Sequence, residues 1–116
     1  MNPKHNEQIE NIRNEFQSSR KILNAICNEN RQKILLVLMD NCVGKGVRVD
    51  DIAKKVNLSR PAVSHHLKFL TDEKIVSAQK DGTKSYYHII GGREILKLKG
   101  LIESIEEFMN DEVNGL

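Results

Sequence analysis

The stretch VRVDDIAKKVNLSRPAVSHHLKFL, Val47 to Leu70, sets two helical patterns end to end with only Asn57 and Leu58 to turn the chain between them. Asp50 is read as the N-cap of a brief helix through Val56, and Ser59 as the cap of the next helix. Pro61 then falls in a first turn, where a missing N–H costs little, so the proline marks a helix start and not a break. At ~100° per residue, Val63, Leu67 and Leu70 lie on one side of this helix, and Pro61, Ser64, His65 and Lys68 on the other.

The flanking elements follow from the same rules. Residues 4–26 carry Ile9, Ile12, Phe16, Leu23 and Ile26 at helical spacing with no breaker, which predicts one continuous first helix. Asn28 suits the N-cap of ENRQKILLVLMD, and the apolar density from Ile34 to Met39 predicts that this helix is central to the core. NCVGKG ends it, and residues 47–49 read as a short extended piece. Beyond LTDEK, two runs of β-friendly residues around Asp81-Gly82 predict a hairpin. Gly91-Gly92 releases the chain into a last helix, on which Ile95, Leu98, Ile102, Ile105, Phe108 and Met109 form an apolar stripe. The order is α-α-α-α-β-β-α: a mainly α fold with a small β-hairpin, or winged helix-turn-helix. The expected organisation is one domain over 1–116, with a first helix in 1–26, the helix-turn-helix at 50–72, the wing at 75–90 and the last helix at 93–113.

Net charge is only +2, but its distribution is uneven. Lys54 to His88 holds seven Lys/Arg against three Asp/Glu, whereas Arg93 to Leu116 holds three against six. A basic middle containing two short helices suits nucleic acid. A major groove admits one helix, whose hydroxyls and imidazoles meet base edges while Lys and Arg meet phosphates. Ser64 and His65 are therefore the base-reading candidates, with Ser59, Arg60, Pro61 and Lys68 as flanking contacts. Lys80 and Lys84, either side of the hairpin tip, would add largely unspecific affinity.

Other chemistries fit less well. His65 and His66 point ~100° apart on a helix and cannot chelate one ion together, so one ring is expected to face DNA and the other to pack. Tyr86 and Tyr87 alternate across a strand, with Tyr87 expected inward. The acidic residues Glu103, Glu106, Glu107, Asp111 and Glu112 read as a solvated face. An enzyme lacks support: there is no nucleophile-base spacing, phosphate-cradling glycine loop or paired carboxylates. No metal site and no cofactor are expected. No apolar run reaches the ~18 residues that span a bilayer, and MNPKHNEQIE is polar, so the expected location is cytoplasmic.

ICNENRQKILLVL, followed by VDDIAKKVNLSRPAVSHHLKFLTDEKIVSAQKDGTKSYYHI, resembles the arsenical-resistance repressor (ArsR) family of winged-helix regulators over roughly residues 20 to 110. The most specific part is V-S-H-H-L-K-x-L followed by a short hairpin with Y-Y-x-I. The resemblance implies a homodimer built from the first and last helices, bound to double-stranded DNA at an imperfect inverted repeat and released by an effector. The interface it points to is Ile9, Ile12, Phe16, Ile95, Leu98, Ile102, Ile105 and Phe108, and the apolar stripe of the last helix supports it independently.

The chain also departs from the family. Where many members carry metal-binding cysteines in ELCVCDL, this sequence has GVRVDDI, with Arg48 and Asp50 in place of thiolates. No histidine follows His88, so the family's imidazole site along the last helix is missing as well. Cys27 and Cys42 flank a helix of ~14 residues, ~20 Å long, and cannot pair within one subunit while it is intact. A small-molecule or redox effector stays open, as do a constitutive regulator and a winged helix used only for protein contacts.

Overall fold

In the computed structural model, residues 3–114 are described, so Met1, Asn2, Gly115 and Leu116 of the expected domain lie outside the described residues. The elements are α1 (Pro3–Ser18), α2 (Arg20–Ile26), α3 (Glu29–Asp40), α4 (Val49–Val56), α5 (Arg60–Asp72), β1 (Val76–Asp81), β2 (Lys84–Ile89) and α6 (Gly92–Met109), then a π-helical turn at Asn110–Asn114. They group into two compact units: residues 24–91, and residues 1–23 together with 92–116.

In the 24–91 unit, Asn28 caps α3 as expected, its side chain accepting the Arg31 N–H at 3.0 Å. Only Ile34, Leu35 and Leu38 of α3 are buried; Leu36 and Met39 turn outward on the opposite face, so the predicted central helix contributes one face to the core. The cap of α4 is Arg48, not Asp50. Val47 exchanges two backbone hydrogen bonds with Tyr87, at 3.1 and 2.8 Å, which ends the extended piece at Val47. The Arg48 carbonyl then accepts from the Asp51 and Ile52 N–H groups, and helix begins.

Asn57 ends α4 in the left-handed conformation at φ 56°, where its N–H and that of Leu58 both return to the Ala53 carbonyl. Asn tolerates this geometry better than most residues, which is why the three residues Asn57, Leu58 and Ser59 suffice for the turn. Ser59 Oγ accepts from the Ala62 N–H at 3.2 Å, and Val63, Leu67 and Leu70 of α5 are buried as the spacing predicts. Lys74, at φ 61°, closes α5 by turning the Ile75 N–H back to the Leu70 carbonyl. No sequence signal marked this left-handed lysine.

β1 and β2 pair antiparallel from Val76↔Ile89 to Asp81↔Lys84. The two turn residues are thus Gly82 and Thr83, one position later than Asp81-Gly82. Gly82 has φ 66° and Thr83 is not left-handed, the φ pattern of a type II′ hairpin turn, which favours Gly at its first position.

In the other unit, the predicted helix over 4–26 is interrupted at Ser19. This serine is fully buried, and its Oγ donates to the Lys97 carbonyl at 3.1 Å. α1 meets α6 where Gly100 leaves room for Glu15; a Cβ at 100 would lie 3.3 Å from the Glu15 carboxylate. Asp111 and Glu112 are not merely a solvated face. Asp111 accepts from Gln8 at 2.9 Å and pairs with Lys4 at 3.1 Å, and these contacts hold its carboxyl below the usual carboxylate range. Glu112 meets His5 Nδ1 at 2.6 Å.

Candidate nucleic-acid interface

α5 presents a polar edge because its apolar residues are already used. With Val63, Leu67 and Leu70 buried, Ser59, Arg60, Pro61, Ser64, His65 and Lys68 all lie exposed. The Ser64 hydroxyl and both nitrogens of the His65 ring are free to donate or accept, the versatility that reading mixed donor and acceptor edges requires. Arg60 Nε reaches Asp50 at 3.1 Å, joining the start of α5 to the first turn of α4, and Lys68 reaches Asp72 at 3.1 Å one turn along. Both are exposed pairs of small energetic weight, so either cation can exchange its carboxylate for a phosphate.

The two histidines differ in burial, His65 being exposed and His66 half-buried. The His65 and His66 ring centroids stand 6.0 Å apart with planes at 65°, an edge-on arrangement. His66 is half-buried, and its Nδ1 is enclosed without a hydrogen bond in the protein. Desolvation, then the nearby Arg31 guanidinium and His65, push its pKa below the ordinary imidazole value. Arg31 itself lies over the Phe69 ring at 4.3 Å and donates to the Asn24 carbonyl at 2.7 Å. This anchoring of α5 by α3 had no sequence signature.

The wing carries Lys80 and Lys84, both exposed. Lys80 is opposite Ser85 and Lys84 opposite Asp81, and alternation along a strand therefore sends the two lysines to opposite faces of the hairpin. Asp81 bonds instead to Lys45, from the loop before α4, and Lys45 also sits 4.8 Å over the Tyr86 ring. The Asp81 hydrogen bond and charge raise the pKa of Lys45, while Lys45 lowers that of Asp81. Tyr86 and Tyr87 are both half-buried, so neither is the inward core residue expected of Tyr87.

Among the described residues no three His, Cys, Asp or Glu side chains cluster to hold a metal ion, and no helix is long and apolar enough to cross a membrane. Cys27 and Cys42 are free and exposed, with α3 intact between them.

A tight-turned helix pair with an exposed polar second helix, followed by a basic two-stranded wing, defines a winged helix-turn-helix DNA-binding protein. The chain belongs to the arsR family of bacterial regulatory proteins, whose model matches residues 28–78. It is 35% identical over 88 residues to an uncharacterized HTH-type transcriptional regulator of Methanocaldococcus jannaschii, covering 72% of this chain and 92% of that protein. It is 34% identical over 68 residues to the transcriptional repressor SdpR of Bacillus subtilis, covering 59% of this chain and 71% of the repressor. The crystal structure of NolR from Sinorhizobium fredii superposes with a TM-score of 0.56 at 29% identity, over 89% of this chain and 92% of NolR. The chain is accordingly a DNA-binding transcriptional regulator.

Proposed function

We propose that this regulator is a cytoplasmic homodimeric repressor without chemistry of its own. It occludes a promoter by placing two α5 helices in successive major grooves of an imperfect inverted repeat, and a small-molecule or redox effector releases it. The observation that carries the reading is the exposed edge of α5, where Ser64 and His65 are the base-reading residues while Ser59, Arg60, Pro61, Lys68, Lys80 and Lys84 hold the backbone. The dimer uses Ile9, Ile12 and Phe16 of α1 with Ile95, Leu98, Ile102, Ile105 and Phe108 of α6. Not one of these eight apolar residues is fully buried within the chain. Residues 50–72 and 75–90 act as reading head and wing, and 1–26 and 93–113 as the dimerisation segments. Release needs an effector that binds the two states unequally, and a coupling of ~1–3 kcal/mol suffices.

Fluorescence anisotropy on DNA upstream of the protein's own coding region, with scrambled duplex as competitor, tests this. The intact protein is expected to prefer its own DNA by ~10³ or more, with affinity falling steeply as salt rises. Ser64→Ala combined with His65→Ala should abolish that preference and leave the dimer intact. Retained selectivity in the double variant would overturn the α5 assignment.

A further inference from the structure

A second basic feature of the 24–91 unit is built on α4 and β2 rather than on α5 or the hairpin turn. Between α4 and β2 there is a concavity of about 420 Å³, walled by Arg48, Asp51, Lys54 and Lys55 on one side and Tyr86 on the other. Its floor depends on Gly46. At φ 101° this glycine lets the loop close onto β2 so tightly that a Cβ would lie 2.7 Å from His88 Nε2 and 2.8 Å from the Tyr87 carbonyl. Arg48, Asp51 and Lys55 recur at i, i+3 and i+7 and share one face of α4, with Lys54 beside them, while Ile52 and Val56 occupy the buried face.

The charges there are unsatisfied. Arg60, Lys68 and Lys45 each have a carboxylate partner, but among the described residues Arg48, Lys54 and Lys55 have none. Three cations against one carboxylate, Asp51, leave the concavity positive. Arg48 is half-buried, and its planar fork suits two oxygens of one tetrahedral anion. The lysines supply point charges at its rim.

We propose that this concavity is a phosphate-binding site, taking the phosphoryl group of a free phosphate ester or a backbone phosphate of bound DNA. The second source rests on the DNA-binding reading above; the first does not. Asp51 weakens the site by its charge and so sets its affinity.

The test follows amide NMR shifts as inorganic phosphate is titrated into the full chain at constant ionic strength, with chloride as the control anion. Saturable shifts specific to phosphate are expected at Gly46, Arg48, Lys55 and Tyr86. Arg48→Ala with Lys55→Ala should weaken phosphate binding ~10-fold or more, and Asp51→Asn should tighten it, an opposite sign that general loss of structure cannot produce. Phosphate shifts no larger than those of chloride would overturn the site, whatever DNA does. Salt-dependent DNA binding then separates the sources. A slope reduced by ~1 or more in the double variant assigns a backbone phosphate, and an unchanged slope with phosphate still bound by the intact protein assigns a free ester. Failure of the intact protein to bind DNA even at low salt would sink the regulator reading while leaving the phosphate titration to judge this site.

Discussion

The 24–91 unit and the unit formed by residues 1–23 and 92–116 differ in how much of their apolar surface they bury. In the first, Ile34, Leu38, Ile52, Val63, Leu67, Leu70, Ile75 and Val76 are almost wholly removed from water. In the second, α1 has no buried residue, Ile22 of α2 is buried, and α6 buries only Leu101 and the charged Glu94. Ile102 there is 57% exposed, and Phe16, Ile95, Leu96 and Met109 are similarly open. The first unit holds most of the buried apolar residues, although Leu36, Met39, Val43 and Ile90 remain exposed there. The other leaves most of its large apolar side chains open to water, the surface that the proposed dimer would cover.

The largest effect should come from the buried core. Leu67→Ala removes a side chain that is 1% exposed, and is expected to cost about 2–5 kcal/mol in urea unfolding through lost transfer energy and the cavity left behind. A cost below ~1 kcal/mol would mean that α5 is not held as described and that the contrast between the units is overstated. The complementary change in the open unit is Ile102→Glu. Within one chain it touches an exposed position, so subunit unfolding should move by no more than ~0.5 kcal/mol. Association of two copies should weaken ~10-fold or more, as read by sedimentation equilibrium. Unaltered self-association would remove α6 from the proposed interface.

The same contrast explains what the sequence made legible. α5 was readable because its signals agree: Ser59 caps, Pro61 starts, and Val63, Leu67 and Leu70 repeat on one face. The hairpin was readable from Gly82, although its register set the turn one residue later. What escaped depends on partners distant in sequence. The break in the first helix falls at Ser19, a buried residue whose hydroxyl donates to the Lys97 carbonyl, and local periodicity has no access to a contact 78 residues away. Arg48 displaced Asp50 as cap because Val47 bridges Tyr87, another long-range pairing. At the site, the exposed candidates on α5 followed from periodicity alone. The opposite facing of Lys80 and Lys84 needed the register, and the positive concavity needed α4 and β2 brought together. Lys54 and Lys55 counted toward the basic middle of the chain, but a count of charges does not say which of them meet.

The smallest expected effect sharpens the comparison from inside the 24–91 unit, at its one half-buried imidazole on α5. His66 loses hydration and faces Arg31 and His65, so its folded pKa lies below the ordinary value of 6.5. Between the folded and unfolded values the unfolded chain binds more protons, and stability therefore rises with pH through that window. The contribution is fully present above pH 6.5 and is lost as pH falls through the folded value. His66→Gln cannot take up this proton. Its melting temperature should consequently fall less than that of the unaltered protein between pH 7.5 and 5.5, by a margin of a few degrees at most in thermal melts followed by circular dichroism. An identical acid response in the two proteins would mean that protonated His66 is accommodated in the fold, and that the packing of α5 against Arg31 is looser than the enclosed Nδ1 implies.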